Sequence, residues 1–114
     1  MSQPVPEKQL QFRDGAVHTW VDLRVYSVAA AQKAAYRIAE RCTVVLGAID
    51  GETLRLTLTF SRPPEETHAL EVARLFFREL LDEELREQVG EQTRAMRTLI
   101  LVHAFSKTDL IDRG

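Results

Sequence analysis

The sequence predicts an α+β domain, a two-layer sandwich in the order strand–helix–strand–strand–helix–helix. Three observations carry the prediction. Residues 53–61 alternate strictly, with Leu54, Leu56, Leu58 and Phe60 on one side and Arg55, Thr57 and Thr59 on the other. Two apolar stripes at spacings of three and four run through Leu70, Ala73, Phe76, Phe77, Leu80 and Leu81, and through Leu85, Val89, Met96, Leu99, Ile100 and His103. Between two strand-like runs stands Asp50-Gly51, a strong hairpin signal.

Residues 1–15 read as a flexible tail punctuated by Pro4, Pro6 and Asp14-Gly15, with only Leu10 and Phe12 able to anchor it. Residues 16–26 alternate as a strand with one buried face. Val17, Thr19, Val21, Leu23 and Val25 point one way, and His18, Trp20, Asp22, Arg24 and Tyr26 the other. Ser27 caps a helix expected to reach Arg41, whose inward stripe is Val28, Ala31, Ala35 and Ile38 with Ala34 beside it. Small alanines bury little area but let a helix lie close to the layer beneath.

The run 42–49 forms the next strand, and its register depends on the turn. A two-residue Asp50-Gly51 turn would set Thr43, Val45, Gly47 and Ile49 beside the leucines of 53–61. A three-residue loop ending on a left-handed Gly51 would set Cys42, Val44, Leu46 and Ala48 there. The second set is better core material, and a one-residue slip turns every side chain over, so the three-residue loop with a bulge is expected. Pro63-Pro64 then ends the strand, and Glu65 and Glu66 suit the first turn of a helix to about Leu81.

The two apolar stripes are out of phase at Asp82-Glu83-Glu84. Either one long helix serves two neighbours or the chain breaks. A break is expected, with Asp82 as N-cap and the last helix running from about Glu83 to Phe105; Gly90 is the rival position. The assembly expected is a truncated ferredoxin-like split βαβ: a three-stranded antiparallel sheet of order 2-3-1 with the helices on one face. Parallel pairing in order 1-2-3 is the alternative. The domain spans 16–106, and 107–114 forms a frayed end.

At 114 residues the chain suffices for one core, and its 45% apolar and 28% charged content is that of a globular protein. A net charge of −2 argues against nucleic acid as a partner. The single cysteine, Cys42, excludes an internal disulfide and any multi-cysteine metal or cluster site. No apolar run approaches the ~20 residues of a membrane span, and no signal-peptide core opens the chain, so cytoplasmic residence is expected.

Few residues suggest catalysis. Cys42 follows the end of a helix and opens a buried strand, the wrong setting for a thiolate. His18, His68 and His103 have no metal-ligand spacing, and neither a cofactor nor a metal site is expected. Asp82, Glu83, Glu84 and Glu87 read as a cap and a solvated face rather than an acid–base pair. The outward face of His18, Trp20, Asp22, Arg24 and Tyr26, with Arg55, Thr57 and Thr59, is different in kind. Trp, Tyr and Arg are enriched at binding hot spots, although a solvated sheet face also tolerates aromatics.

Leu80-Leu81-Asp82-Glu83-Glu84-Leu85-Arg86-Glu87, with Arg97-Thr98-Leu99-Ile100 and Ala104-Phe105, resembles the His-Xaa-Ser system protein D family (HxsD). That family carries a Leu-Leu-Asn-Asp-Tyr-x-Leu-Arg-Glu-like signature, and Asp82-Glu83-Glu84 departs from its middle. Val21-Asp22-Leu23-Arg24-Val25-Tyr26 and Ala34-Ala35-Tyr36-Arg37 are also similar, so the likeness covers most of 16–106. The matching residues are packing patterns, not catalytic signatures. Members are encoded beside radical S-adenosylmethionine proteins and a protein of His-Xaa-Ser repeats. The resemblance implies a non-catalytic accessory protein of a peptide-modification system, binding the repeat precursor or the radical maturase. Two other readings stay open: a structural homodimer closed through the open sheet face or the last helix, and an enzyme using Cys42 or His18.

Overall fold

The computed structural model describes residues 9–113, with side chains as far as Val102. In order come β1 (Gln11–Arg13), β2 (Ala16–Asp22), α1 (Val28–Arg37), β3 (Thr43–Asp50), β4 (Thr53–Thr59) and α2 (Glu66–Arg113). The expected three-stranded sheet of order 2-3-1 is corrected by this architecture. Among the described residues the sheet has four strands in the order β1-β2-β4-β3, all neighbours antiparallel, and two helices replace the expected three.

The added strand comes from residues read as tail. Asp14 and Gly15 both take left-handed backbone angles, φ 54° and 73°, and form a two-residue turn between the paired Arg13 and Ala16. Positive φ at both central positions matches the twist of a hairpin, and Asp-Gly is among the few pairs that adopt it readily. Leu10 is buried and Phe12 packs against the core, anchoring this hairpin. Pro4 and Pro6 lie outside the described residues.

The helix count falls because no break occurs at Asp82 or Gly90; the backbone stays helical through both. The physical reason is that the first stripe does not end at Leu80. Glu83 is buried beneath Arg37, and the Glu84 carboxylate reaches Ser27. The carboxylates that interrupt the apolar pattern are therefore partnered continuations of the same face. The helix extends past the expected end at Phe105 to Arg113, while the side chain of His103 lies outside the described residues.

Between β3 and β4 the turn is Gly51-Glu52, with Asp50 paired to Thr53 and Gly51 at φ 63°. Neither expected loop is used. Ile49 pairs with Leu54, then Gly47 and Ala48 together face Arg55, and this bulge shifts the register so that Leu46 meets Leu56 and Val44 meets Leu58. Val44 and Leu46 consequently pack on the core, and Val45 is exposed on the other side. Cys42, Val44 and Leu46 thus face the core as expected, whereas Ala48 is exposed, because the bulge lies inside β3 rather than at the loop.

The chain forms two compact units, Met1–Glu84 and Leu85–Gly114. In the first, Val17 and Val21 of β2, Leu54, Leu56 and Leu58 of β4, and Ala30, Ala31 and Ala34 of α1 join Ala69, Val72, Ala73, Phe76, Phe77 and Leu80 of α2 in one core. The alanines of α1 supply the close approach that their size allows. Phe76 and Phe77 meet edge to face, ring centroids 5.4 Å apart.

Candidate functional site

The alternation that buries Val17, Thr19 and Val21 turns His18, Trp20 and Asp22 to the opposite face of β2. Pairing then extends this face across the sheet. Gln11, His18, Thr57 and Val45 stand in one row through four strands, and Trp20 stands opposite Arg55. Directly opposed residues bring their side chains within reach on the same face. Arg13, His18, Trp20, Arg55 and Thr57 line an open concavity of about 520 Å³ here. Trp20 is 41% exposed within it, and the Gln9 side-chain amide donates to the Trp20 carbonyl oxygen.

The structure thus assembles His18, Trp20, Arg55 and Thr57 as expected of one face. It does not bring Arg24 and Tyr26 there. The strand ends at Asp22, whose carbonyl accepts the N–H groups of Val25 and Tyr26 at 3.0 Å each, so the chain turns away. Arg24 folds back onto Asp22, with Nη2 2.8 Å from Oδ2, and also meets Glu52 at 3.2 Å. The side-chain hydrogen bond from Arg24, reinforced by its backbone N–H, holds the Asp22 carboxyl below its usual range. Tyr26 packs on the core, and burial, with the nearby Glu84 charge, pushes its phenol upward. Asp22 stays at the border of the face, paired with Thr53.

Sequence reasoning missed Gln9, Gln11 and Arg13, because the segment carrying them was read as tail; the Asp14-Gly15 pair was the available signal. It also read Glu83 as solvated. That residue is buried, and its carboxylate accepts from Arg37 Nε, with Glu79 3.7 Å from the same guanidinium.

Cys42 is 5% exposed at the start of β3, and burial pushes its thiol up to about 11. A nucleophilic thiolate requires a shift in the other direction. Among the described residues, no group of three or more His, Cys, Asp or Glu side chains is placed to hold a metal ion. His68 lies near Phe60, ring centroids 6.4 Å apart. Among the described residues no helix is long and apolar enough to cross a membrane.

No curated protein and no solved structure matches the chain. The family described as His-Xaa-Ser system protein HxsD matches residues 21–111, from the end of β2 to the last turn of α2. The match takes in α1, the β3–β4 hairpin and the long helix, most of the chain, so the protein belongs to the HxsD family and has its role in the His-Xaa-Ser system.

Proposed function

We propose that this protein is a cytoplasmic, non-catalytic accessory component of the His-Xaa-Ser system that docks a peptide segment on the open sheet face, leaving the chemistry to a radical S-adenosylmethionine partner. The observation that supports this reading is Trp20. A large aromatic left 41% exposed beside Arg55 and His18, in a concavity of about 520 Å³, is an apolar anchor flanked by hydrogen-bonding groups. Arg13 and Arg55 can donate to peptide carbonyls or carboxylates, and Thr57 and Gln11 can both donate and accept.

Trp20 is the sole tryptophan, so its fluorescence reports on this face without labelling. Titration with a synthetic peptide of His-Xaa-Ser repeats should shift the emission and saturate. Trp20→Phe with Arg55→Ala should weaken binding, measured by calorimetry, by about tenfold or more. Saturable binding of that peptide unaffected by the paired substitution would place recognition elsewhere. A response only to the purified maturase would make that protein the occupant of the face.

A further inference from the structure

His18 stands in the middle of the open sheet face, and the strand register decides what surrounds it. Gln11 of β1 is directly beside it on one flank and Thr57 of β4 on the other. Arg13 lies two positions from Gln11, in the row of Ala16, and Arg55 two positions from Thr57, in the row of Trp20. Both arginines are thus diagonal neighbours of His18, one on each side. Such neighbours are roughly 7–8 Å apart, a span that a long side chain covers. All five residues line the same concavity.

Two guanidinium groups, an imidazole, a carboxamide and a hydroxyl all offer N–H or O–H donors. None of the five side chains has an ion pair or a hydrogen bond among the described residues. Arg24 and Arg37 differ in this respect, the first being held by Asp22 and Glu52 and the second by Glu79 and Glu83. The carboxylates of the face stand apart from His18. Asp22 and Asp50 both pair with Thr53, two rows away, which is about 14 Å along the strands. Arg55 is one row nearer to them and bonds neither.

We propose that the row of His18 holds the carboxylate of an aspartate or glutamate side chain in the docked peptide, with Arg13 and Arg55 closing on it from opposite diagonals. This role for His18 rests on peptide docking at Trp20 and names the chemistry that the face selects. Charge-assisted N–H···O bonds are about twice as strong as neutral ones, so a carboxylate gains more from these donors than a peptide carbonyl does. The carboxylate comes from within the peptide because α1 and α2 both pack on the other face of the sheet, and neither ends the path beside His18. Trp20 is two positions from His18 on the same face, about 7 Å along the strand. An extended peptide repeats at that distance, so its acidic residue and the apolar residue at Trp20 are two positions apart.

Two blocked serine-rich peptides serve as probes, one with a glutamate two positions from a leucine, its twin with glutamine in place of the glutamate. Titrated against the full chain and read by Trp20 emission, the glutamate peptide should bind about tenfold tighter at low salt. Raising the salt to ~0.5 M should shrink that difference, because the site is open to screening ions. Arg13→Gln with Arg55→Gln should bring the twins to one affinity. Both positions are exposed, so the urea midpoint of this variant should stay near that of wild type. Equal affinity of the twins for wild type, a preference that survives the double substitution, or tighter binding of a peptide whose only carboxylate is C-terminal would each overturn the proposal. Saturable binding of the His-Xaa-Ser repeat peptide by a chain that does not distinguish the twins would remove the carboxylate site and leave docking at Trp20 standing. Silence of Trp20 towards every peptide would remove both.

Discussion

The Glu84 carboxylate accepts the backbone N–H of Ser27 at 2.8 Å, across 57 positions of sequence. Ser27 in turn accepts the Ala30 N–H through its hydroxyl oxygen at 3.0 Å. In a capping box the returning carboxylate belongs to the third residue of the same helix. Here that residue is Ala30, the first turn of α1 contains no acid, and the carboxylate comes from α2. One capping unit is thus divided between two helices. It places a negative charge at the positive end of α1 and ties the two helices together.

Removing either half should therefore weaken the same unit. Glu84→Ala and Ser27→Ala are each expected to cost about 1 kcal/mol in urea denaturation, with Glu84→Gln, which keeps an acceptor, costing less. The double substitution should cost less than the sum of the two, because both bonds hold the same first turn of α1, although each substitution leaves the donor and acceptor of the other bond in place. Strict additivity would mean that the two bonds act independently.

Arg37→Met should be the more damaging change, because it leaves Glu83 buried without its cation. With part of the pair exposed, a loss of about 1–3 kcal/mol at neutral pH is expected. Urea denaturation of the variant at neutral pH, referred to wild type, should show this deficit, and Arg37→Lys, which keeps the cation, should recover part of it.

Val21 and Trp20 are neighbours on opposite faces of β2, 0% and 41% exposed. Val21→Asp should unfold the domain by burying an unpaired charge, whereas Trp20→Ala should leave a cooperative transition with a nearby midpoint. Loss of cooperative unfolding in Trp20→Ala would make the indole a core residue and remove it from any binding role.

The Cys42 thiol, raised from 9.0 to about 11 by burial, gives an alkaline signature. Between those values the unfolded chain ionises and the folded one does not, so stability present below pH 9 should be lost as pH rises towards 11. Cys42→Ala should flatten that part of the stability profile. Alkylation of the native thiol should stay slow at pH 8 and quicken only on unfolding.

The strands of this fold were legible where one face is buried along their whole length. Residues 53–59 alternate because every second side chain enters the core, and β2 does so through Asp22. Beyond Asp22 the alternation of Leu23, Arg24, Val25 and Tyr26 continues in the sequence while the backbone turns, and the expected face lost two members for that reason. Strand β1 is three residues long with only Phe12 partly covered, too little for a period-two signal. At Asp82 the phase argument failed because it counted carboxylates as interruptions of a buried stripe. Whether a glutamate finds an arginine or a helix-terminal N–H beneath it depends on residues 46 and 57 positions away.

The bulge at Gly47 and Ala48 does more than correct a register. Strand β3 bounds the sheet on one side, and eight consecutive extended residues would offer a foreign chain a row of backbone donors and acceptors. The bulge cuts that row into Thr43–Leu46 and Ile49–Asp50. A methyl group at Gly47 would sit 3.3 Å from the Arg55 carbonyl oxygen, so the kink is held close against β4. The opposite boundary, β1, is only three residues long. Neither margin can be extended far by another strand, which guards against edge-to-edge aggregation.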